Sequence, residues 1–578
     1  MTDATLLVNP LIKIDGSTLP DHAQIEQIVV EMSLHLPSVA TMIFHDPQLE
    51  WLDSATLEPG KAITITIQNN KPLFDGEIVE VEADLSADGH RVFVRAFDRL
   101  HRLARGAHSR AFTQVSDSDI VTTCAGDVGM QSEIDATSGQ HAYFIQANET
   151  DLAMLQRRAA ANGYLLYANG QKLCFKAPAG ATTVELDLSV DLMTFRPRIS
   201  AAGYIEKTSV RGWDPKQKQV VVGESRQTKI VPKVGLTAKD YLNLRPTGRA
   251  ANLAIQDQNE AKLLAQGLTD AQISRFIEAE GVSVGAPGLK AGVSVTIKGV
   301  GTRFSGTYFV TSATHRLDAG FYTTEFSATG LNAASVLGML NAPEAAPQPL
   351  GGMTIGIVTD NKDPEHLGRV KLKLPLLLDE KTSAEMTTDW ARISSSNAGG
   401  GRGMLFLPEI NDEVLVGFGQ GDINLPFVLG VLWNGRDKAP GDKGKMVGGD
   451  GKVNQRVIYS RTGHYIMLDD SDADGGISVV DKKGNKIVLK AQDDSLTIET
   501  AGDITVTTKG NLSMDVTGDA AFKAKGNITM EATGNLSLKA TGNLTAEATG
   551  QADVKGTGGA KLESSAIVTV QGSMINLN

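Results

Sequence analysis

Over the C-terminal stretch, from about residue 494 to the end, apolar and polar positions alternate, and a glycine breaks the alternation at every eighth residue. The glycines are Gly502, Gly510, Gly518, Gly526, Gly534, Gly542, Gly550 and Gly558. Between them Ile504 and Val506, Leu512 with Met514 and Val516, Phe522, Ile528 with Met530, Leu536 with Leu538, and Leu544 share one face. Thr505, Ser513, Asp515, Lys523, Glu531, Ser537 and Lys539 share the other. A period of two nested in a period of eight predicts short strands, each one turn of a β-solenoid. The residues that follow the glycines, mostly Asp or Asn, favour a left-handed backbone, so each pair is expected to form a tight corner.

One chain cannot close such an object. An octad offers two or three inward apolar side chains, worth roughly 1.5–3 kcal/mol each at best. Fixing its backbone costs about 1–2 kcal/mol per residue. Unpaired strand edges would remain. Several copies wound about one axis would pair the edges and bury the stripe. The inward residues are thin, with Phe522 the last aromatic after Tyr465, and no proline follows Pro440. A narrow, uninterrupted axis points to three chains. The alternatives are a single-chain β-helix, usually built on a longer coil, and a Gly/Thr-rich tail, which has no reason to hold register.

Upstream, alternation predicts strands over residues 25–33, 62–68, 73–83 and 91–96, with turns at Pro59-Gly60, Asn69-Asn70 and Asp88-Gly89. Helical spacing appears at 117–124, at 152–159 behind a cap from Asn148 or Thr150, and at 260–271. Residues 164–167 and 173–176 read as a hairpin, and 205–213, 293–298, 306–316 and 322–329 as strands. Three prolines and two glycines in residues 341–352 mark a linker. Residues 353–436 hold five or six short strands, one of them expected over 403–408, in the size range of an OB-type barrel. Residues 437–454 are a Gly/Lys/Asp-rich connector, and strands at 457–460, 464–468, 477–481 and 486–490 lead into the octads.

The chain has 578 residues, enough for three or four domains, and a net charge of −12. No basic tract and no ladder of aromatics among Arg and Lys is present, which argues against nucleic acid as a partner. Cys124 and Cys174 could form one bridge but read more simply as thiols of a chain made in the cytosol. Neither a signal peptide nor a membrane span is expected.

Several strings resemble a known family. Phe74-Asp-Gly-Glu-Ile-Val79, Phe97-Asp98, Phe144-Ile-Gln-Ala-Asn-Glu149, Arg157-Arg158, Val210-Arg-Gly-Trp-Asp-Pro215 and Gly306-Thr-Tyr-Phe-Val310 with His315 look like the baseplate hub module of contractile phages. The same module heads the VgrG spikes of type VI secretion. The barrel strings resemble the spike proteins of that family more sharply: Gly368-Arg-Val-Lys371, Trp390-Ala-Arg392, Leu407-Pro-Glu-Ile-Asn-Asp-Glu413, Gly421-Asp-Ile-Asn-Leu-Pro426 and Trp433-Asn434-Gly435. The resemblance implies a mainly β protein. Residues 1–340 would be a hub of two β-barrels with a few helices, 353–436 an OB-fold barrel, and 455–578 an intertwined trimeric β-helix needle. Three hubs would make a ring of six barrels that adapts a trimeric spike to a sixfold tube.

Candidate chemistry is sparse. Asp470-Ser-Asp472-Ala-Asp474-Gly475, with Asp481 further on, has the outline of a calcium loop, but strands flank it, so an acidic hairpin tip is the simpler reading. Gly281-Val-Ser283-Val-Gly285 matches a nucleophile-elbow string, yet Ala286-Pro287 follows where a helix must start. The glycine-rich runs at 399–403 and 444–452 lack the phosphate-loop pattern, and His315 and His366 read as core or loop histidines. No active site, cofactor or metal is expected.

The expected function is mechanical: the homotrimeric central spike of a contractile injection system. Its partners would be the inner tube protein, baseplate proteins, possible effector cargo, the target membrane transiently, and a PAAR-type tip protein docked on Met574, Ile575, Leu577 and Asn578. Assembly is expected in the cytoplasm, with delivery outside the cell on firing. A phage-tail-like extracellular particle is favoured over a type VI apparatus by domain content. The rival readings are a trimeric tail fibre or adhesin that binds glycans, and a spike with envelope-degrading activity.

Overall fold

The computed structural model describes residues 8–577 apart from 21–22, 68–70, 88, 179–182, 202–203, 227–231, 237–246, 251–254, 256, 275, 330–351, 380–381, 383 and 442–443. The linker over 341–352 therefore lies almost wholly outside the described residues, as do Asn578 and the Asn69-Asn70 turn. The chain forms two compact units, Met1–Ala439 and Pro440–Asn578.

Alternation in the N-terminal third produces strands with one buried face. Ile25–Ser33 pairs antiparallel with Val39–His45 on one side and with Ser312–Asp318 on the other, so the two ends of the hub share one eleven-stranded sheet. Ile28, Met42, Phe44, Ile63, Ile65 and Val94 fill a first core. Leu186, Ile297, Tyr308 and Phe326 fill a second. The hairpin of Ser312–Asp318 and Phe321–Ala328 serves both: Leu317 and Tyr322 enter the first core, Ala313 and Phe326 the second. The two-barrel hub takes this form, two cores strung along a common sheet.

Helices α1 (Asp117–Asp127) and α2 (Asp151–Asn162) pack into a third core with Ile120, Val121, Cys124, Leu152 and Leu155. Ser116 and Asp119 form a capping box for α1. Thr150 caps α2, and Gly163, at φ 64°, ends it. Helix α3 (Gln258–Ile273) packs against Lys207–Asp214 and Gln219–Ser225.

The barrel is a six-stranded sheet in which Met353–Asp360 lies between Lys371–Leu378 and Glu413–Phe418. Pro426–Val431 follows, then Arg392–Ile393. It closes where Val370 and Ala391 exchange backbone hydrogen bonds of 3.0 and 2.7 Å. Val358, Val370, Leu372, Val414, Val416 and Val428 fill it. The strand expected over 403–408 does not form. A hairpin of Ala398–Gly399 with Arg402–Gly403 stands there, and Met404, Leu405 and Phe406 leave it exposed. An apolar run carries no period of its own, so it cannot tell a strand from an uncovered loop.

In the second unit Gln455–Tyr459, Tyr465–Asp469, Gly476–Val480, Lys486–Lys490 and Ser495–Glu499 form an antiparallel five-stranded meander. Beyond it the octads are extended six-residue runs between two-residue bends, and no backbone pairing is made within the chain among the described residues from 500 to 577. The left-handed corners expected at each glycine pair are absent. In this stretch only Gly559 has a positive φ, 132°. At three bends a hydroxyl two residues earlier accepts the corner N–H instead: Thr500 from Gly502 at 3.2 Å, Thr508 from Gly510 at 3.1 Å and Ser564 from Ala566 at 3.1 Å. The bend at 565–566 keeps the eight-residue period with Ala566 where a glycine would fall. Within one chain, a Cβ at Gly518, Gly526, Gly534, Gly542, Gly550 or Gly558 would meet nothing within 4 Å.

Candidate interaction surfaces

Every octad side chain expected inside a needle is open in the single chain. Ile504, Val506, Leu512, Met514, Val516, Phe522, Ile528, Met530, Leu536, Leu538 and Leu544 are 49–72% exposed. Scattered exposed aliphatics are ordinary, but a continuous stripe of this length marks a surface that another molecule covers. Met574, Ile575 and Leu577 are also exposed.

The acidic loop is engaged by cations of its own unit. Asp470 pairs with Arg456, and Asp474 accepts from Lys445 Nζ at 2.8 Å. Among the described residues no group of three His, Cys, Asp or Glu is placed to hold a metal ion. Ser283 lies buried in the strand Ile277–Val284 with its Oγ 3.4 Å from the Thr324 carbonyl, out of reach of a substrate. His315 is fully buried, with Nδ1 2.9 Å from the Tyr322 hydroxyl, and burial holds its pKa down at about 3, so the ring is neutral. Cys124 and Cys174 are both free and buried, and burial pushes the Cys124 thiol up to about 12.

Two clusters escaped the sequence reading. The first is the seam between hub and barrel. Ile145 packs with Leu374, Leu377, Met386 and Ile423. Its N–H donates to Asn424 Oδ1 at 2.5 Å, and the Tyr143 hydroxyl bonds Thr387. Asn424 belongs to the Gly-Asp-Ile-Asn-Leu-Pro string already singled out. That string now has a physical purpose, because its loop locks the barrel onto the hub strand His141–Glu149. Asn424→Ala would leave the Ile145 N–H unpaired, a cost of about 1–3 kcal/mol. We expect calorimetry of the full chain to show a lower first transition.

The second cluster is a pair of buried ionic knots on the helices. Arg110 donates to Gln146 at 2.7 Å and Asp151 at 2.6 Å, and pairs with Asp127. Asp117 accepts from Arg158 Nε at 2.6 Å, from Asn162 at 2.6 Å, and faces His141 Nε2 at 3.0 Å. Burial raises the Asp117 carboxyl, but the bonds from His141, Arg158 and Asn162 outweigh it and hold the group well below its ordinary value of 3.8. A depressed carboxylate stabilises the fold above the unfolded value and loses that contribution as pH falls below it. Melting curves of Asp117→Asn should therefore lie well below wild type at pH 7, and the gap should narrow below about pH 4.

Residues 4–319 match the family model described as the Alg8 N-terminal domain. The chain belongs to this family. Residues 354–433 match the type VI secretion system/phage-baseplate injector OB domain, which agrees with the closed barrel found there. The type VI secretion system spike protein VgrG3 of Vibrio cholerae is 23% identical over 376 residues, 59% of this chain and 35% of its own length. The spike protein VgrG1b of Pseudomonas aeruginosa is 28% identical over 144 residues, 23% of this chain and 19% of its own. The chain thus spans about a third or less of these relatives. A solved E. coli protein, a component of the type VI secretion system with structural similarity to T4 phage tail proteins, aligns with a TM-score of 0.50 at 14% identity, over 73% of this chain and 99% of that one. A chain of the Francisella PdpA–VgrG complex aligns at 0.52 and 8% identity, over 86% and 80%. The resemblance to the VgrG and phage hub-spike proteins holds, and this Alg8-type hub joined to an injector OB barrel shares their mainly β architecture.

Proposed function

We propose that the chain is the structural central spike of a contractile injection system and works as a homotrimer. The observation that carries this reading is the octad ribbon: its apolar stripe is open from end to end and, among the described residues, its backbone pairs with no strand of its own chain. Only other strands of matching period can satisfy it, and identical copies supply that match. The octad glycines support the same conclusion. Neither a left-handed φ nor a steric limit within one chain calls for them, so the missing Cβ is explained by close approach of a neighbouring backbone.

In this arrangement the hub seats on the inner tube and baseplate proteins, the barrel forms a collar locked to it through Asn424, and the braided octads transmit thrust to a target membrane. Sheath contraction supplies the energy; no catalytic step is required of the chain. Synthesis and assembly take place in the cytoplasm. A PAAR-type protein caps the exposed Met574, Ile575 and Leu577, and effector cargo travels on the assembled spike.

Light scattering on the purified full chain should give three times its 61.3 kDa mass, with residues beyond 500 resistant to protease. A monomer with that stretch protected would overturn the reading. Deleting residues 574–578 should abolish capture of the tip protein without changing the mass of the assembly.

A further inference from the structure

An octad ribbon has a weakness that its own sequence does not cure. The repeats are so alike that a neighbour displaced by eight residues keeps corners on corners and apolar faces together. It loses the contacts of one octad only. Something outside the repeat must choose the alignment.

The meander of residues 455–499 has the features this requires. Ile466, Leu468, Ile477, Val479, Ile487 and Leu489 all point to one face, and their register sets Ile466 opposite Val479, Leu468 opposite Ile477, Ile477 opposite Leu489 and Val479 opposite Ile487. These six are 42–47% exposed. The other face, which carries Ser478, Lys486 and the partly buried Met467, Val480 and Val488, is the less open one at most positions. An ordinary half-buried sheet is covered on its aliphatic side; here that side is bare. Ile458, opposite Ile466, and Leu496 and Ile498, opposite Leu489 and Ile487, are 54–60% exposed, so the bare face runs across all five strands. The strands begin at residues 455, 465, 476, 486 and 495. That spacing is not a multiple of eight, so only one alignment of two copies superposes the whole face.

We propose that this face is the register lock of the spike: it docks against the same face of the other copies and fixes the single alignment in which the octads wind. The occupant is a second copy of this chain, because the meander runs without a break into the ribbon that needs copies of itself. The inference rests on the trimer reading above.

The test uses full-length chains. A chain lacking one octad, residues 527–534, is co-expressed with the intact chain, so the meander is untouched in both. With Ser513→Cys in both chains, a bismaleimide should cross-link them, because position 513 lies between the meander and the deletion. With Ser537→Cys in the intact chain, the link should form to Ser537→Cys of the shortened chain at background level only, and to Thr545→Cys of the shortened chain strongly, since 545 is shifted by one octad. The reverse pattern would show that the distal ribbon sets the register and would overturn the proposal. A second arm places Ile477→Asp and Leu489→Asp in every copy, with Ser537→Cys in half of the chains and Thr545→Cys in the rest. Cross-links between 537 and 545 should rise at least tenfold over the same pair in the wild-type background. An unchanged link pattern in a variant that still assembles would also overturn the lock. If instead the intact chain is a monomer by light scattering, the trimer reading fails first, and that result is distinct from either pattern.

Discussion

Leu536→Asp is expected to leave the protein monomeric. In the single chain Leu536 is 60% exposed, so the substitution places a carboxylate in solvent and costs the isolated chain little. In a threefold assembly the same change brings three carboxylates together at one level of a narrow axis. Desolvating each costs several kcal/mol, repulsion adds to that, and about 2 kcal/mol of leucine burial is lost per chain. The sum is on the order of 10 kcal/mol or more per trimer, enough to dissolve it at micromolar concentration. Lys539→Asp, three residues on and on the opposite face, should keep the trimer. Light scattering and protease mapping of both variants check this; a Leu536→Asp trimer as resistant as wild type would mean that the stripe does not face the axis.

Arg110→Met should destabilise the hub by about 3–5 kcal/mol. The guanidinium side chain is 8% exposed, and its partner Asp151 is 3% exposed. With Arg110 gone, the Asp151 carboxylate keeps a 2.8 Å bond from Gln146 Nε2 and its place in the first turn of α2, but no counter-charge at that contact. The loss comes from the stranded carboxylate more than from the missing pair, so the double variant Arg110→Met/Asp151→Leu should recover most of it. Urea unfolding followed by the hub transition measures the three variants. Equal losses in the single and double variants would show that Arg110 acts by packing its stem, not by compensating Asp151.

The parts of this protein that could be read from its sequence are those in which neighbours along the chain decide the structure. Alternation located many of the hub strands, though not Val39–His45 or Ile277–Val284, and four strands of the meander, and Thr150 and Gly163 bracket α2 as capping chemistry predicts. The fifth meander strand, Ser495–Glu499, went unread because Asp493-Asp494 before it and the octads after it blurred its edges. Bends fall at the octad glycines, but without the left-handed backbone expected there: their spacing is a property of the sequence, whereas at Gly502 and Gly510 a hydroxyl two residues back holds the corner N–H. The barrel–hub seam was out of reach for a different reason. Tyr143 meets Thr387 across 244 residues and Ile145 meets Asn424 across 279, and no local pattern encodes a partner at such a distance. The string carrying Asn424 was visible; what it touches was not.

The ribbon's openness also governs the protein before any spike exists. A newly made chain exposes a stripe of β-prone, apolar side chains that any similar segment can zip onto, the hazard of an unprotected edge. The sequence blunts it: alanines take many of the inward positions towards the end, and Lys523, Lys525, Lys539, Lys555 and Lys561 recur along the ribbon as gatekeepers against fibre growth. If the ribbon braids as proposed, assembly is a race between winding with two sisters and clumping with many, and crowding of nascent chains decides how much soluble protein a cell recovers.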